Sequence, residues 1–230
     1  MGWSFPIGAV KGTVIRVHFT FILFLVWIGA ASYARGGSDA AVQAVLFMIL
    51  LFLCVLLHEF GHVLVARRYG VQTAEITLLP IGGVAQMERI PEKPSQELLV
   101  ALAGPTVNLA IAGILIVALG GIIPDGSTEV QNPQVGLIGR LLVANLFLAL
   151  FNLIPAFPMD GGRVLRAVLA YRLGYARGTQ VAATVGQTLA FALGLLGLLG
   201  NPMLLFIAYS SISAPRRNRT QFRCARFLRG

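Results

Sequence analysis

Three ionisable side chains stand within five positions of an otherwise apolar block, His58-Glu59-Phe60-Gly61-His62. On an α-helix, residues four apart share a face, one turn above the other. Both imidazoles can then reach one metal ion, and Glu59 can face a water bound to that ion. This is the H-E-x-x-H arrangement, in which two histidines hold zinc and the glutamate handles the proton. Uncompensated ionisable groups in a bilayer cost several kcal/mol each. A bound cation supplies the compensation that such a block requires.

A catalytic zinc takes three protein ligands and keeps a fourth position open for water. The apolar blocks contain few other acids, and Asp160 stands out among them. It lies in Asn152-Leu153-Ile154-Pro155-Ala156-Phe157-Pro158-Met159-Asp160-Gly161-Gly162-Arg163. The two prolines break a helix and the glycines loosen the chain further. A non-helical carboxylate at membrane depth is tolerated only where it is buried in protein or lines a cavity. With His58, His62 and Asp160 as ligands, one Zn2+ would lower the pKa of its water toward about 7. Glu59 would take the proton as that water attacks a carbonyl, then return it to the leaving group.

The elements that must position these residues are membrane helices. Of 230 residues, 57% are hydrophobic and 12% charged, against about a quarter charged in a water-soluble domain. The apolar residues come in blocks, so the expected fold class is an α-helical polytopic membrane protein with about six transmembrane helices. Spans are expected at about 19–34, 41–66, 98–119, 137–157 and 180–199, with a shorter sixth stretch ending near 212. The sixth is short for a bilayer core about 30 Å thick, which suits a tilted, re-entrant or interfacial segment. Residues 74–79 and 84–87 read as two short strands around a Gly82-Gly83 turn, and the β-branched run Thr13-Val14-Ile15 as another. These make a small β-sheet or hairpin element, expected on the cytoplasmic side. Residues 1–214 form the expected domain, followed by a basic cytoplasmic tail over 215–230.

The net charge of +9 and a pI near 10.6 would suggest nucleic acid in a soluble chain. Here the lysines and arginines sit between apolar blocks, as membrane topology dictates, so no nucleic-acid partner is expected. With the N-terminus cytoplasmic, sixteen of the eighteen lie inside, and only Arg35 and Arg140 lie on or near the other face. Both termini are therefore expected in the cytoplasm. His58 and His62 then fall near the cytoplasmic end of the second span, and Asp160 at that end of the fourth. Their depths agree, and the spacing within either motif does not impose it. No short cleavable signal is visible, and the first block reads as a retained span. The two cysteines, Cys54 in an apolar block and Cys224 in the tail, make neither a disulfide framework nor a thiolate metal site.

Asn108 and Asn152 are lone amides in apolar spans. They read either as interhelical hydrogen-bonding groups or as contacts to a substrate backbone or oxyanion. The strands around Gly82-Gly83 read either as a surface hairpin or as an edge to which an extended peptide adds. Gly104-Pro105 permits a kink and close helix contact. His18 sits at a span boundary, as an interfacial residue would. The basic tail suits anionic headgroups.

Taken together, these features resemble the site-2 protease family of intramembrane zinc metalloproteases. The residues that carry the resemblance are His58-Glu59-Phe60-Gly61-His62, Asn152 to Gly162, Gly82-Gly83 and Ala103-Gly104-Pro105-Thr106-Val107-Asn108. It covers about residues 5–210. The resemblance implies a multi-pass enzyme of the cell membrane. It would cleave single-span transmembrane protein substrates within or near the lipid bilayer, in regulated intramembrane proteolysis. Neither a nucleotide-sensing CBS module nor a PDZ-like insertion is expected. A metal transporter would scatter polar residues along several spans, whereas here they concentrate at one level and Glu59 would have no role. A silent, binding-only relative would not need the full set of His58, Glu59, His62 and Asp160.

Overall fold

The computed structural model describes residues 3–80, 82–87, 93–119 and 136–198. Along the chain run β1 (Ser4–Val10), β2 (Thr13–His18), α1 (Phe19–Arg68), β3 (Thr73–Leu79), β4 (Gly82–Met87), α2 (Pro94–Ala118), α3 (Leu137–Asn152), α4 (Asp160–Leu173) and α5 (Tyr175–Leu198). The chain divides into two compact units, Met1–Glu92 with Leu102–Leu150 and Lys93–Ala101 with Phe151–Gly230.

The first unit carries one four-stranded sheet in the order β1-β2-β3-β4. β1 and β2 are antiparallel and turn at Lys11 and Gly12, with φ of 49° and 79°. Two successive positive-φ residues match the twist of the flanking strands in a two-residue hairpin. β2 and β3 are parallel, with Val14 opposite Glu75 and Val17 opposite Leu78. Parallel neighbours need a crossover, and α1 provides it by leaving after β2 and returning before β3. β4 closes the sheet antiparallel to β3.

Two expectations change here. The short strand and the hairpin belong to one sheet, and a further strand, β1, precedes them. Pro6 and Gly8 interrupt the alternation of β1 and shift its register, which an edge strand tolerates. Gly82 and Gly83 lie inside β4, opposite Leu79 and Leu78, instead of forming the turn, which falls at residue 80.

α1 starts after His18, whose Nδ1 accepts the Thr20 amide at 3.3 Å and caps the helix. Its 50 residues would make a straight rod of about 75 Å, over twice the hydrocarbon thickness of about 30 Å. Gly36 (φ −148°, ψ 18°) and Gly37 (φ 72°, ψ −162°) leave helical geometry and divide it, where the sequence expects a turn between two spans. α1 and α2 are long and apolar enough to cross a membrane, whereas α3 has 16 residues. Trp27, Val42, Ile114 and Val117 are among the large apolar side chains left exposed on α1 and α2, the surface that such helices offer to lipid.

The second unit contains the start of α2, the segment 153–159, α4 and α5. The expected fourth span, 137–157, is cut short, because α3 stops at Asn152. Asp160 opens α4 instead of closing a span. Pro155 and Pro158 lack the amide proton a helix needs, and their rings clash with the preceding turn. The chain therefore bends through the bonds Ile154 N to Phe151 O (3.2 Å) and Met159 N to Ala156 O (3.0 Å) before restarting as a helix. The arginine-rich stretch after Asp160 reads from sequence only as a connection; it folds as α4, with Arg166, Ala167 and Ala170 buried. Gly174, at φ 77°, separates α4 from α5, which begins at Tyr175 ahead of the expected start at 180. The sixth apolar stretch, the basic tail and Arg89 lie outside the described residues.

Candidate metal centre

α1 brings its two histidines together as the spacing predicts. The Nε2 atoms of His58 and His62 are 3.1 Å apart, with ring planes at 84° and both residues buried. Two nitrogens bound at about 2.0–2.1 Å to one tetrahedral ion lie about 3.3 Å apart, so the pair fits the donor geometry of zinc. The helix interface explains why the rings converge. A Cβ on Gly61 would stand 2.8 Å from the Ala103 carbonyl oxygen, and a Cβ on Gly104 would collide with both imidazoles. Glycine at these two positions lets α2 close on α1 and hold the rings against its backbone.

Glu59 lies on the same turn and is half-buried. A Cβ on Gly83 would stand 2.8 Å from its Cγ, so the start of β4 rests directly on this side chain. Of the sequence-predicted residues, His58, Glu59, His62 and Gly83 are thus gathered in the first unit, with Gly82 beside Gly83 on β4. Asn108 belongs to the same unit, one turn beyond Gly104 on α2. It is fully buried, and neither its Nδ2 nor its Oδ1 has a hydrogen-bond partner among the described residues.

Asn145 on α3 went unnoticed in the sequence. It is fully buried, and its Nδ2 donates to the Leu141 carbonyl (2.9 Å) and to Cys54 Sγ (3.4 Å). Cys54 is one turn before His58 on α1. The signal that marked Asn108 and Asn152, a lone amide in an apolar span, was equally present at Asn145.

In the second unit Asp160 is 9% exposed and is the first residue of α4, where a carboxylate is favoured by the helix dipole. The turn before it is packed backbone on backbone. A Cβ on Gly161 would collide with the Leu153 and Ile154 carbonyls, and one on Gly162 would stand 2.9 Å from the Ala156–Phe157 peptide. Asn152, half-buried, ends α3 just ahead of this turn. Arg163 Nη1 lies 3.9 Å from Asp160 Oδ1. Further along α4, Arg166 donates from Nε (2.8 Å) and Nη2 to Glu97 Oε1, with Arg166 4% exposed and Glu97 fully buried. The guanidinium also lies over the rings of Phe157 and Tyr175, 5.6 and 5.8 Å from their centroids. One buried ion pair therefore ties the start of α2, the proline turn, α4 and the start of α5. Reading arginines as topology markers concealed Arg166, because a charge count cannot tell a buried guanidinium from a solvated one.

A model of Peptidase family M50 matches residues 46–135 and 122–193 of the chain. The solved structure of a site-2 protease from Methanocaldococcus jannaschii is similar at a TM-score of 0.65 and 40% identity, over 91% of this chain and 94% of that one. Among curated proteins, the zinc metalloprotease MJ0392 of the same organism is 42% identical over 90% of this chain and 58% of its own length. The putative zinc metalloprotease sll0528 of Synechocystis is 40% identical over 86% of this chain and 54% of its own length. The chain thus spans somewhat over half of the curated relatives it matches. The family match takes in the histidine pair, Glu59 and the Asp160 turn, and on it the chain belongs to peptidase family M50, the site-2 protease family.

Proposed function

We propose that this chain is an intramembrane zinc endopeptidase with His58, His62 and Asp160 as metal ligands and Glu59 as the catalytic acid–base. The observation that carries the reading is the imidazole pair held by Gly104, with Glu59 on the same turn beneath Gly83. The third place goes to Asp160, a buried carboxylate at the first turn of α4. Two neutral nitrogens and a carboxylate suit zinc, the metal named for the two relatives.

Zinc in such a set acidifies a water and polarises a carbonyl when bound. Glu59 takes the proton of the attacking water and delivers it to the leaving amine nitrogen. Asn108 and Asn152 hydrogen-bond the substrate backbone beside the scissile peptide. A primary amide is complementary to a peptide unit, since its oxygen accepts from N–H and its NH2 donates to C=O. In Asn108 neither group has a hydrogen-bond partner among the described residues. The Gly82-Gly83 end of β4 holds an extended stretch of substrate against Glu59 by strand addition.

The substrate is a single-span transmembrane protein that unwinds locally to expose its carbonyls, in regulated intramembrane proteolysis. The enzyme is a multi-pass protein of the cell membrane with both termini in the cytoplasm. Residues 1–214 form its catalytic domain and 215–230 its tail. The test is cleavage of a model single-span substrate by the purified chain, with and without chelator and as Glu59→Gln. Activity that depends on zinc and disappears in Glu59→Gln while the metal stays bound is the expected result. Full turnover by Glu59→Gln would refute the assignment.

A further inference from the structure

Away from the candidate metal centre, the β1–β2 turn, the end of α1 and the start of β3 line a half-open cavity of about 680 Å³, within the range of small-molecule sites (about 300–1,000 Å³). Its lining includes Lys11, Gly12, Arg67, Gly70, Val71 and Thr73. Both charged side chains in the lining are cations, contributed by elements more than fifty residues apart in sequence, and no acid lines it. Among the described residues neither Lys11 nor Arg67 has an acidic partner. Two like charges brought into one concave site without a counter-charge mark a place for an anion.

The cavity is built, not merely charged. Arg67 Nη2 donates to Thr13 Oγ1 (3.4 Å), which donates to the Thr73 carbonyl (2.9 Å), so the guanidinium is held while its other N–H groups stay available. Lys11 is kept in the left-handed region at φ 49°, where no other non-glycine described residue lies. Thr73 is 2% exposed and its carbonyl takes the Thr13 hydroxyl, so the wall behind the two cations is packed backbone. The carbonyls at the end of α1 would repel an anion, but they are occupied: Tyr69 N and Val71 N donate to Ala66 O, and Gly70 N donates to Arg67 O.

We propose that this cavity binds a phosphate group, presented by the headgroup of an anionic phospholipid. A phosphate accepts charge-assisted bonds from guanidinium and ammonium, which are the two charged donors in the lining. The lipid source follows from position. The long apolar run of α1 gives out at Arg67-Arg68, the level at which headgroups lie. The site uses none of the residues assigned to catalysis, so it stands or falls independently of them.

The test measures binding of dihexanoyl phosphatidylglycerol, dihexanoyl phosphatidylcholine, glycerol phosphate and inorganic phosphate to the full chain in neutral detergent, by calorimetry or native mass spectrometry. The expected result is saturable binding of phosphatidylglycerol, about tenfold tighter than phosphatidylcholine, weakened by salt. Lys11→Gln should weaken it about tenfold, as loss of one charge-assisted bond implies. Arg67→Gln should weaken it by a similar factor, with an unchanged melting temperature showing that the fold is kept. Competition by glycerol phosphate or inorganic phosphate at the lipid's own concentration would support the phosphate cavity and overturn the lipid as its source. Equal binding of the two lipids, or unchanged phosphatidylglycerol binding in both variants, would overturn the proposal.

Discussion

The turns of α1 around His58 and the segment from Asn152 to Arg166 hold their candidate ligands in opposite ways. α1 is regular there. Its two histidines stand one turn apart because the helix repeats every 3.6 residues, and two glycine contacts, at Gly61 and Gly104, complete the packing. The other segment is irregular. Two prolines end one helix, a compressed turn starts another at Asp160, and a buried Arg166–Glu97 pair fixes the result. Periodic structure places residues cheaply and leaves a readable spacing. An irregular segment can aim a single carboxylate, but it needs tertiary contacts to hold its shape.

Breaking each region separately tests that contrast. The largest effect belongs to the helix. His58→Ala should abolish zinc binding and cleavage together, whereas Glu59→Gln should keep the metal and lose about 10²–10⁴ in kcat, the range for a lost general base. Metal analysis beside turnover distinguishes the two, and equal loss of metal in both variants would remove the separation of roles. The next effect belongs to the irregular segment. Arg166→Met alone leaves the Glu97 carboxylate buried without its partner and should cost about 3–5 kcal/mol. Pairing it with Glu97→Leu should restore most of that loss, because both charges are then gone. Thermal unfolding of the single and double variants measures it, and equal destabilisation of the two would show that the pair acts as more than charge compensation.

A smaller effect is expected at Gly104. Gly104→Ala drives a methyl into both imidazoles, and overpacking of this kind costs about 1–3 kcal/mol. Zinc affinity should fall about 10–100-fold, as when groups that orient metal ligands are disturbed. A zinc titration checks it, and wild-type affinity would mean the rings are not held by α2. The smallest and most diagnostic change is Asn108→Leu. An unpaired buried amide costs about 1–3 kcal/mol, so the variant should melt higher while kcat/KM falls by about tenfold, or about 1.4 kcal/mol. A lower melting temperature with unchanged kcat/KM would assign Asn108 to helix packing instead.

How far the sequence reached differs from region to region for the same reason. The turn at Gly36-Gly37, the histidine pair and the proline break before Asp160 follow from local rules, namely glycine conformation, helical period and proline sterics, although the helix ends at Asn152, ahead of the expected 157. β1 was not foreseen, because an edge strand with Pro6 and Gly8 carries no alternation. α4 was not foreseen either, because its buried face rests on Arg166, whose charge is tolerable inside only when Glu97 meets it. Asn145 bears the same lone-amide signal as Asn108, and only its neighbours tell the two apart. Asn145 is bonded to Leu141 and Cys54, while both polar atoms of Asn108 lack a partner among the described residues.

By itself, then, the sequence determined the chemistry: two imidazoles and a carboxylate on one helical turn, an aspartate after a proline-broken span, and apolar blocks that put them in a membrane. These depend on neighbours within a few residues, and a linear pattern records such neighbours directly. Only the tertiary structure decided that Gly83 lies on Glu59, that Gly104 seats both rings, that Glu97 neutralises Arg166, and that Lys11 and Arg67 share a cavity. Each of these pairs joins residues more than twenty positions apart. Their meeting is set by how helices and strands pack, and no spacing along the chain encodes it.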